Sequence, residues 1–226
     1  MALAPEWAVR WSGAQRDVLA GDVSGKVDLD GLVSERHVYA LGPLEGARGE
    51  VSVFDGVACI SRVRDGSIQV DAGAGDRACF LVYARVPYWI EVARAEPIDD
   101  VAQLETLVVT GAAAHGIDVA EPFPFRLTGT ANRLALHVLD KRDGLPHTPE
   151  RHERAKARFV FSGEPVEALG FFSTQHRGIF TPRESNLHMH ARLRDGRVAG
   201  HVDDVAWAGG ASLWLPRTSG GKDGHR

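Results

Sequence analysis

Short alternations of apolar and polar residues, punctuated by Asp-Gly pairs, recur along this chain and predict strands joined by tight turns. Val51-Ser-Val-Phe-Asp-Gly-Val-Ala-Cys-Ile60 reads as a hairpin about Asp55-Gly56, and Asp65-Gly66 repeats the device to give a three-stranded meander through about Val70. That pairing sets Glu50, Ser52, Phe54, Cys59 and Ser61 on one face, and Val51, Val53, Ala58 and Ile60 on the other. Cys79–Arg85, Trp89–Arg94, Ala157–Ser162, Val166–Ser173 and Ala211–Pro216 are further apolar strands, and Phe125–Thr130 with Arg133–Leu139 forms a hairpin-like pair. One helix stands out, Val101 to about Ala114, capped by Asp99-Asp100 and striped by Val101, Leu104, Leu107, Val108 and Gly111. Shorter helices are expected at Ala14–Ala20 and Asp28–Arg36, the second weakened by Gly31, while polar Lys141–Arg154 is a loop with room for a helical turn.

Strands outnumber helices and hairpins outnumber crossovers, so the fold class is α+β: two strand-rich halves of mixed or antiparallel sheet with one or two covering helices. The halves are expected at 1–120, carrying the helix, and 121–216, with 217–226 a disordered tail by composition; they are compatible with one integrated domain.

The most informative segment is Asn186-Leu-His-Met-His-Ala-Arg-Leu-Arg-Asp-Gly-Arg-Val-Ala-Gly-His-Val-Asp-Asp204. Asp195-Gly196 suits a two-residue type I′ turn, which pairs Arg194 with Arg197, His190 with His201 and His188 with Asp203. Opposed residues and residues two apart share a face, so His188, His190 and His201 converge beside a carboxylate. Leu187, Met189, Ala191, Leu193, Val198 and Val202 take the core face. Opposed Cβ atoms lie about 4.5–5.5 Å apart, within reach of one ion. By ligand type three imidazoles suit Zn, Fe, Ni or Cu; three histidines with no fourth obligatory protein ligand are typical of catalytic zinc. A polar strand face with ordinary hydrogen-bonded histidines is the plain alternative. Asp203 either accepts an imidazole N–H or is a solvated strand residue.

Composition narrows the partners. The 226 residues are 44% hydrophobic and 25% charged with a formal net charge of -4, ordinary for a globular protein large enough to bury a core. Dispersed Lys and Arg give no nucleic-acid footprint, and no apolar run approaches the roughly 20 residues that span a bilayer. Cys59 and Cys79 sit in apolar segments as small core residues, not a disulfide framework. With no signal-like apolar stretch at the start, the expected location is the cytoplasm. Extensive strand edges make a homodimer plausible.

Two blocks resemble the α-acetolactate decarboxylase family. Tyr39-Ala-Leu-Gly-Pro-Leu-Glu-Gly-Ala-Arg-Gly-Glu-Val-Ser-Val-Phe-Asp-Gly56 is similar to its Gly-rich approach to a Gly-Glu dipeptide, strand and Asp-Gly turn. His188-Met-His190 with Gly200-His-Val202 is similar to its His-x-His and Gly-His-Val metal ligands at the same separation; Gly170-Phe171 and Leu213-Trp-Leu-Pro216 also fit. The likeness spans most of Val9 to Pro216. It implies a two-part α+β fold, a mononuclear Zn2+ held by His188, His190 and His201, and Glu50 reaching the metal from the N-terminal half as the proton-donating acid. The implied substrate is a small 2-hydroxy-3-keto acid, such as 2-acetolactate, which loses CO2 to give an acetoin-type product. Two departures stand out. No glutamate follows the last strand, where the family has another metal-reaching one, and the carboxylate-binding arginine expected directly after Gly170-Phe171 is absent. Arg177 is the nearest substitute, with Arg183 and His176 in the same loop. Without the terminal glutamate, a Zn-dependent hydrolase of a small ester is a second reading, and a non-catalytic metal-binding module a third.

Overall fold

In the computed structural model, described for residues 5–218 apart from 33, 74, 95 and 96, the core lies between two antiparallel sheets. Six strands form the first sheet, in spatial order Arg10–Ser12, Leu81–Arg85, Val38–Pro43, Glu50–Phe54, Val57–Arg64 and Ser67–Asp71. Eight form the second, in the order Lys156–Phe161, Arg133–Leu139, Ala199–Ala206, Leu187–Leu193, Glu164–Phe172, Phe123–Ala131, Ser212–Pro216 and Trp89–Arg94. Every strand pairing among the described residues of these sheets is antiparallel, so the expected α+β class holds without the mixed pairing. A two-stranded ribbon, Val27–Asp28 with Arg77–Ala78, completes the strands.

The meander forms in the expected register, Val51 opposite Ile60 and Ser52 opposite Cys59. One face therefore buries Val51, Val53 and Ile60 in a small cluster with Leu29 and Leu81, while Phe54 and Cys59 join the main core on the other. Both cysteines are free and buried. The Val101–Ala114 helix begins as expected, with the Asp100 carboxylate accepting from the Gln103 N–H at 2.8 Å. Leu104, Val108, Gly111 and Ala112 are its buried residues, and it covers the Ser212–Pro216 strand. Among the described residues, no helix is long and apolar enough to cross a membrane.

Three expectations fail for identifiable reasons. The described residues of 28–36 are not helical: the Asp28 carboxylate accepts from Asp30 N–H and the Asp30 carboxylate from Gly75 N–H, so these side chains tie the backbone into turns. Phe123–Ala131 and Arg133–Leu139 do not pair with each other, because the single residue Asn132 between them cannot reverse the chain. Instead they run on as one bent strand against Lys156–Phe161 and Glu164–Phe172, in register from Phe123 opposite Phe172 to Leu139 opposite Lys156. The third concerns the histidine hairpin. Its turn is not a two-residue Asp195-Gly196 loop: Gly196 N–H bonds Leu193 C=O, Gly196 alone takes a positive φ of 75°, and Leu193 N–H closes the loop on Val198 C=O. Arg194 N–H is engaged by Pro165 C=O on the neighbouring strand, and Asp195 holds Arg197 N–H, so those two arginines are not a ladder pair. Of the tail, residues 219–226 lie outside the described residues.

Because one N-terminal carboxylate closes the longest helix, Asp100→Ala is expected to lower unfolding free energy by about 1 kcal/mol. Urea denaturation of variant and parent checks it; an unchanged midpoint and slope would show that the cap contributes nothing.

Candidate metal centre

The histidine face of the second sheet looks directly at the Glu50 face of the first, since Glu50–Phe54 packs on Ala199–Ala206. The predicted register is observed: His190 opposite His201, Ala191 opposite Gly200, Arg192 opposite Ala199. Two glycines make the meeting possible. Gly49 has φ +147°, and a Cβ there would sit 2.4 Å from Ser61 O, so only glycine can introduce Glu50 at this point. A Cβ on Gly200 would lie 2.9 Å from His137 O, so its absence lets the His201 strand close on its neighbour.

One nitrogen from each of His188, His190 and His201 lies within 4.8 Å of the others. His188 and His190 are buried, His201 partly so. His188 Nδ1 donates to Phe180 C=O at 2.7 Å, leaving Nε2 with its lone pair inward. His190 Nδ1 lies 3.0 Å from Ser52 Oγ, and its buried Nε2 has no protein partner. His188 Nε2 and His201 Nδ1 are 3.2 Å apart. Two imidazoles on one tetrahedral ion at about 2.0–2.1 Å would hold their nitrogens about 3.3–3.4 Å apart. An orphaned inward nitrogen, a ligand-like spacing and bonds fixing the outer nitrogens together fit a bound transition metal.

Burial tunes these groups the same way. Desolvation lowers the His188 pKa to about 4 and those of His190 and His201 well below the usual value, so all three are neutral, the form that binds metal. Desolvation likewise raises the Glu50 pKa well above the carboxylate range, opposed by the Leu139 N–H that reaches its Oε1 at 3.3 Å. Glu50 Oε2 is 3.7 Å from His190 Nε2. Burial favours the neutral form of both, so this contact is not an ion pair.

Asp203 is displaced from its expected place. The ladder between the two hairpin strands ends at His190, and a bulge, with Ala135 opposite Asp204 but Leu136 opposite Val202, leaves Asp203 as the extra residue. Its carboxylate takes the Nδ1 of His137 at 2.7 Å, not that of His188. Sequence reading missed His137, which is buried, sits opposite His201 in the adjoining ladder and has its ring 4.5 Å from that of His201. Its only signal was a histidine at an alternating position of an apolar strand.

These groups line a cavity of about 170 Å³ with Glu50, His137, His188 and His201 on one side and Val18, Pro43, Phe80, Leu139 and Pro182 supplying apolar wall. Gln15, His152 and Lys156 complete it, also unforeseen. Arg177 and Arg183 are exposed and do not line it. The Arg177 Nε donates to Asn186 Oδ1, which leaves that guanidinium outside. His176 bonds Ser173 Oγ and stacks on Phe180, also away from the cavity lining.

Seven histidines with lowered pKa, five of them around the cavity, make the metal-free protein acid-sensitive. Their folded pKa values lie below the unfolded value near 6.5, so the unfolded chain binds more protons between the two, and stability falls as pH drops from about 6.5 towards 4. Glu50 acts oppositely, losing stability as pH rises above its unfolded value, but it is one group against seven. Denaturant titrations of chelator-treated protein at pH 7 and 5 should place the midpoint lower at pH 5; a higher one would contradict buried neutral imidazoles.

No protein-family model matches this sequence. No curated protein matches it either. Solved structures do. The α-acetolactate decarboxylase from Bacillus subtilis strain 168 superimposes with a TM-score of 0.74 at 16% identity, over 93% of this chain and 86% of that one. The acetolactate decarboxylase from Bacillus subtilis subspecies spizizenii gives 0.73 at 16%, over 93% and 87%. A Staphylococcus aureus protein of unknown function, similar to α-acetolactate decarboxylase, gives 0.73 at 13%, over 92% and 85%. At such identities the likeness is one of architecture, and this chain has the acetolactate-decarboxylase-like fold.

Proposed function

We propose that this protein is a metal-dependent carboxy-lyase that removes CO2 from a small 2-hydroxy-3-keto acid such as 2-acetolactate, releasing an acetoin-type product, with zinc as the resident ion. The observation that carries this reading is the unpartnered Nε2 of His190, buried between two sheets and flanked by His188 and His201. The shared architecture supports it. So does the cavity, whose roughly 170 Å³ falls below the ~300 Å³ of the smallest drug-sized sites and whose apolar wall suits short alkyl groups.

When CO2 leaves a 3-keto acid, the electron pair of the broken C–C bond passes towards the keto oxygen, and a bound divalent ion supplies the Lewis acid for that charge. The chain's own residues do the rest. His188, His190 and His201 hold the ion, and Phe180 C=O and Ser52 Oγ orient the first two. Glu50, whose burial favours its protonated form, is the group placed to donate the proton that replaces CO2 on carbon.

Elemental analysis and CO2 release from racemic acetolactate, compared for the parent and His190→Ala, test this reading. The parent is expected to carry one zinc and to release CO2; the variant should lose both. Ser52→Ala, which frees the outer nitrogen of His190, should weaken zinc binding by about 10- to 100-fold. Metal without CO2, but with acid released from a model ester, would replace the decarboxylase with a hydrolase; metal whose removal merely unfolds the chain would make it a binding module.

A further inference from the structure

An acid entering this cavity needs a cation to receive its carboxylate, and the guanidinium expected there lies elsewhere. Among the described residues lining the cavity, Lys156 is the only lysine or arginine. Its position follows from the chain path. The Pro149–Ala155 helix runs without a connecting loop into the Lys156–Phe161 strand, so Lys156 stands where the helix meets the sheet. In the ladder it pairs with Leu139, whose N–H holds the Glu50 carboxyl. Its side chain is only 21% exposed, and its Nζ rests 2.8 Å from Glu153 Oε2. That counter-ion is mostly exposed and shared with Arg158, so it offers the ammonium a partner that a ligand can displace.

The surroundings suit the role. His152, next to Lys156 in the lining, bonds His147 through Nδ1 at 3.1 Å and is kept neutral by burial, which lowers its pKa to about 3. It therefore adds a polar wall without a competing charge. The Lys156 charge also acts on Glu50, His137 and His201, which places it within electrostatic reach of the metal centre.

We propose that Lys156 is the substrate-binding residue that receives the carboxylate of a small hydroxy acid, displacing Glu153, while the other end of the acid faces the three histidines. A lysine offers one point charge where an arginine would present a rigid two-pronged fork, so the anchor selects for charge and distance more than for carboxylate orientation. The identity of the acid rests on the decarboxylase reading; the anchor does not, because binding is measured without turnover.

The probe is 2-hydroxy-2-methylpropanoate, which has a hydroxyl and a carboxylate but no keto group and cannot follow the proposed reaction. Its affinity for zinc-loaded full-length protein is measured by calorimetry. Lys156→Met is expected to weaken binding by about 10- to 100-fold, the loss of one charge-assisted contact, with zinc content and circular dichroism unchanged. Lys156→Arg should recover most of the affinity, which a purely structural role would not predict, and Glu153→Gln should tighten binding by removing the competing carboxylate. Equal affinity in Lys156→Met and the parent overturns the anchor, as does a parent that fails to bind the acid. A parent that binds the acid through Lys156 yet releases no CO2 from acetolactate upholds the anchor and overturns the decarboxylase reading.

Discussion

The bond between Ser52 and His190 is the contact on which this site depends, because it joins the two sheets at the point where both are fully buried. An imidazole taken out of water loses its charged form first, and any polar nitrogen without a partner costs more. His190 meets the first demand by staying neutral and the second on one side only, through Ser52. Its other nitrogen is left without a hydrogen-bond partner and free to ligate an ion. Glu50 obeys the same logic from the opposite sheet, with Leu139 N–H as its partner across the gap. If the sheets moved apart by the width of a water molecule, both contacts would be hydrated and a metal held there would lose its fixed ligands.

That closeness is a property of backbone shape. The strand pair running from Phe123 to Leu139 and back from Lys156 to Phe172 bends at Asn132 and Gly163, and the histidine hairpin lies between its two arms. The hairpin is thus paired on both sides, with Glu164–Phe172 flanking His188 and His190 and Arg133–Leu139 flanking His201. Pairing on both edges limits how far any of the three rings can drift. The bulge at Asp203 then turns a residue that a regular ladder would place beside His188 towards His137, orienting a fourth imidazole next to the first three.

What the amino-acid order revealed about this arrangement was whatever depended on local rules. The hairpin register was legible because the alternation of side chains and the position of a turn glycine restrict pairing to few choices, and the register survived although the turn type did not. The expected type I′ loop and the observed four-residue loop both bring His190 opposite His201, since each is centred on the same midpoint. The Val101–Ala114 helix was legible for similar reasons, with a cap, a stripe and no breaker. The rest depended on contacts distant in sequence. Nothing near Arg133–Leu139 says which strand lies beside it, so His137 looked like an isolated core histidine. Arg177 looked suitable by its place after Gly170-Phe171, but the sequence could not reveal that Asn186 would hold its guanidinium outside the cavity.

Architecture and chemistry carry different weight here. A shared fold at 13–16% identity accounts for the two sheets and their facing strands, and folds of one shape host unrelated reactions. The chemistry has to be argued from the side chains that line the cavity. Three buried imidazoles can take a cation, a buried carboxyl whose protonated form is favoured could supply a proton, and a lysine placed by a helix–strand junction is the only lysine or arginine among the described lining residues. An ester, which carries no obligatory charge, would gain nothing from that ammonium, whereas an acid small enough for the cavity would gain a defined orientation between the cation and the metal. On this ground a carboxylate-bearing substrate fits the site better than a neutral one.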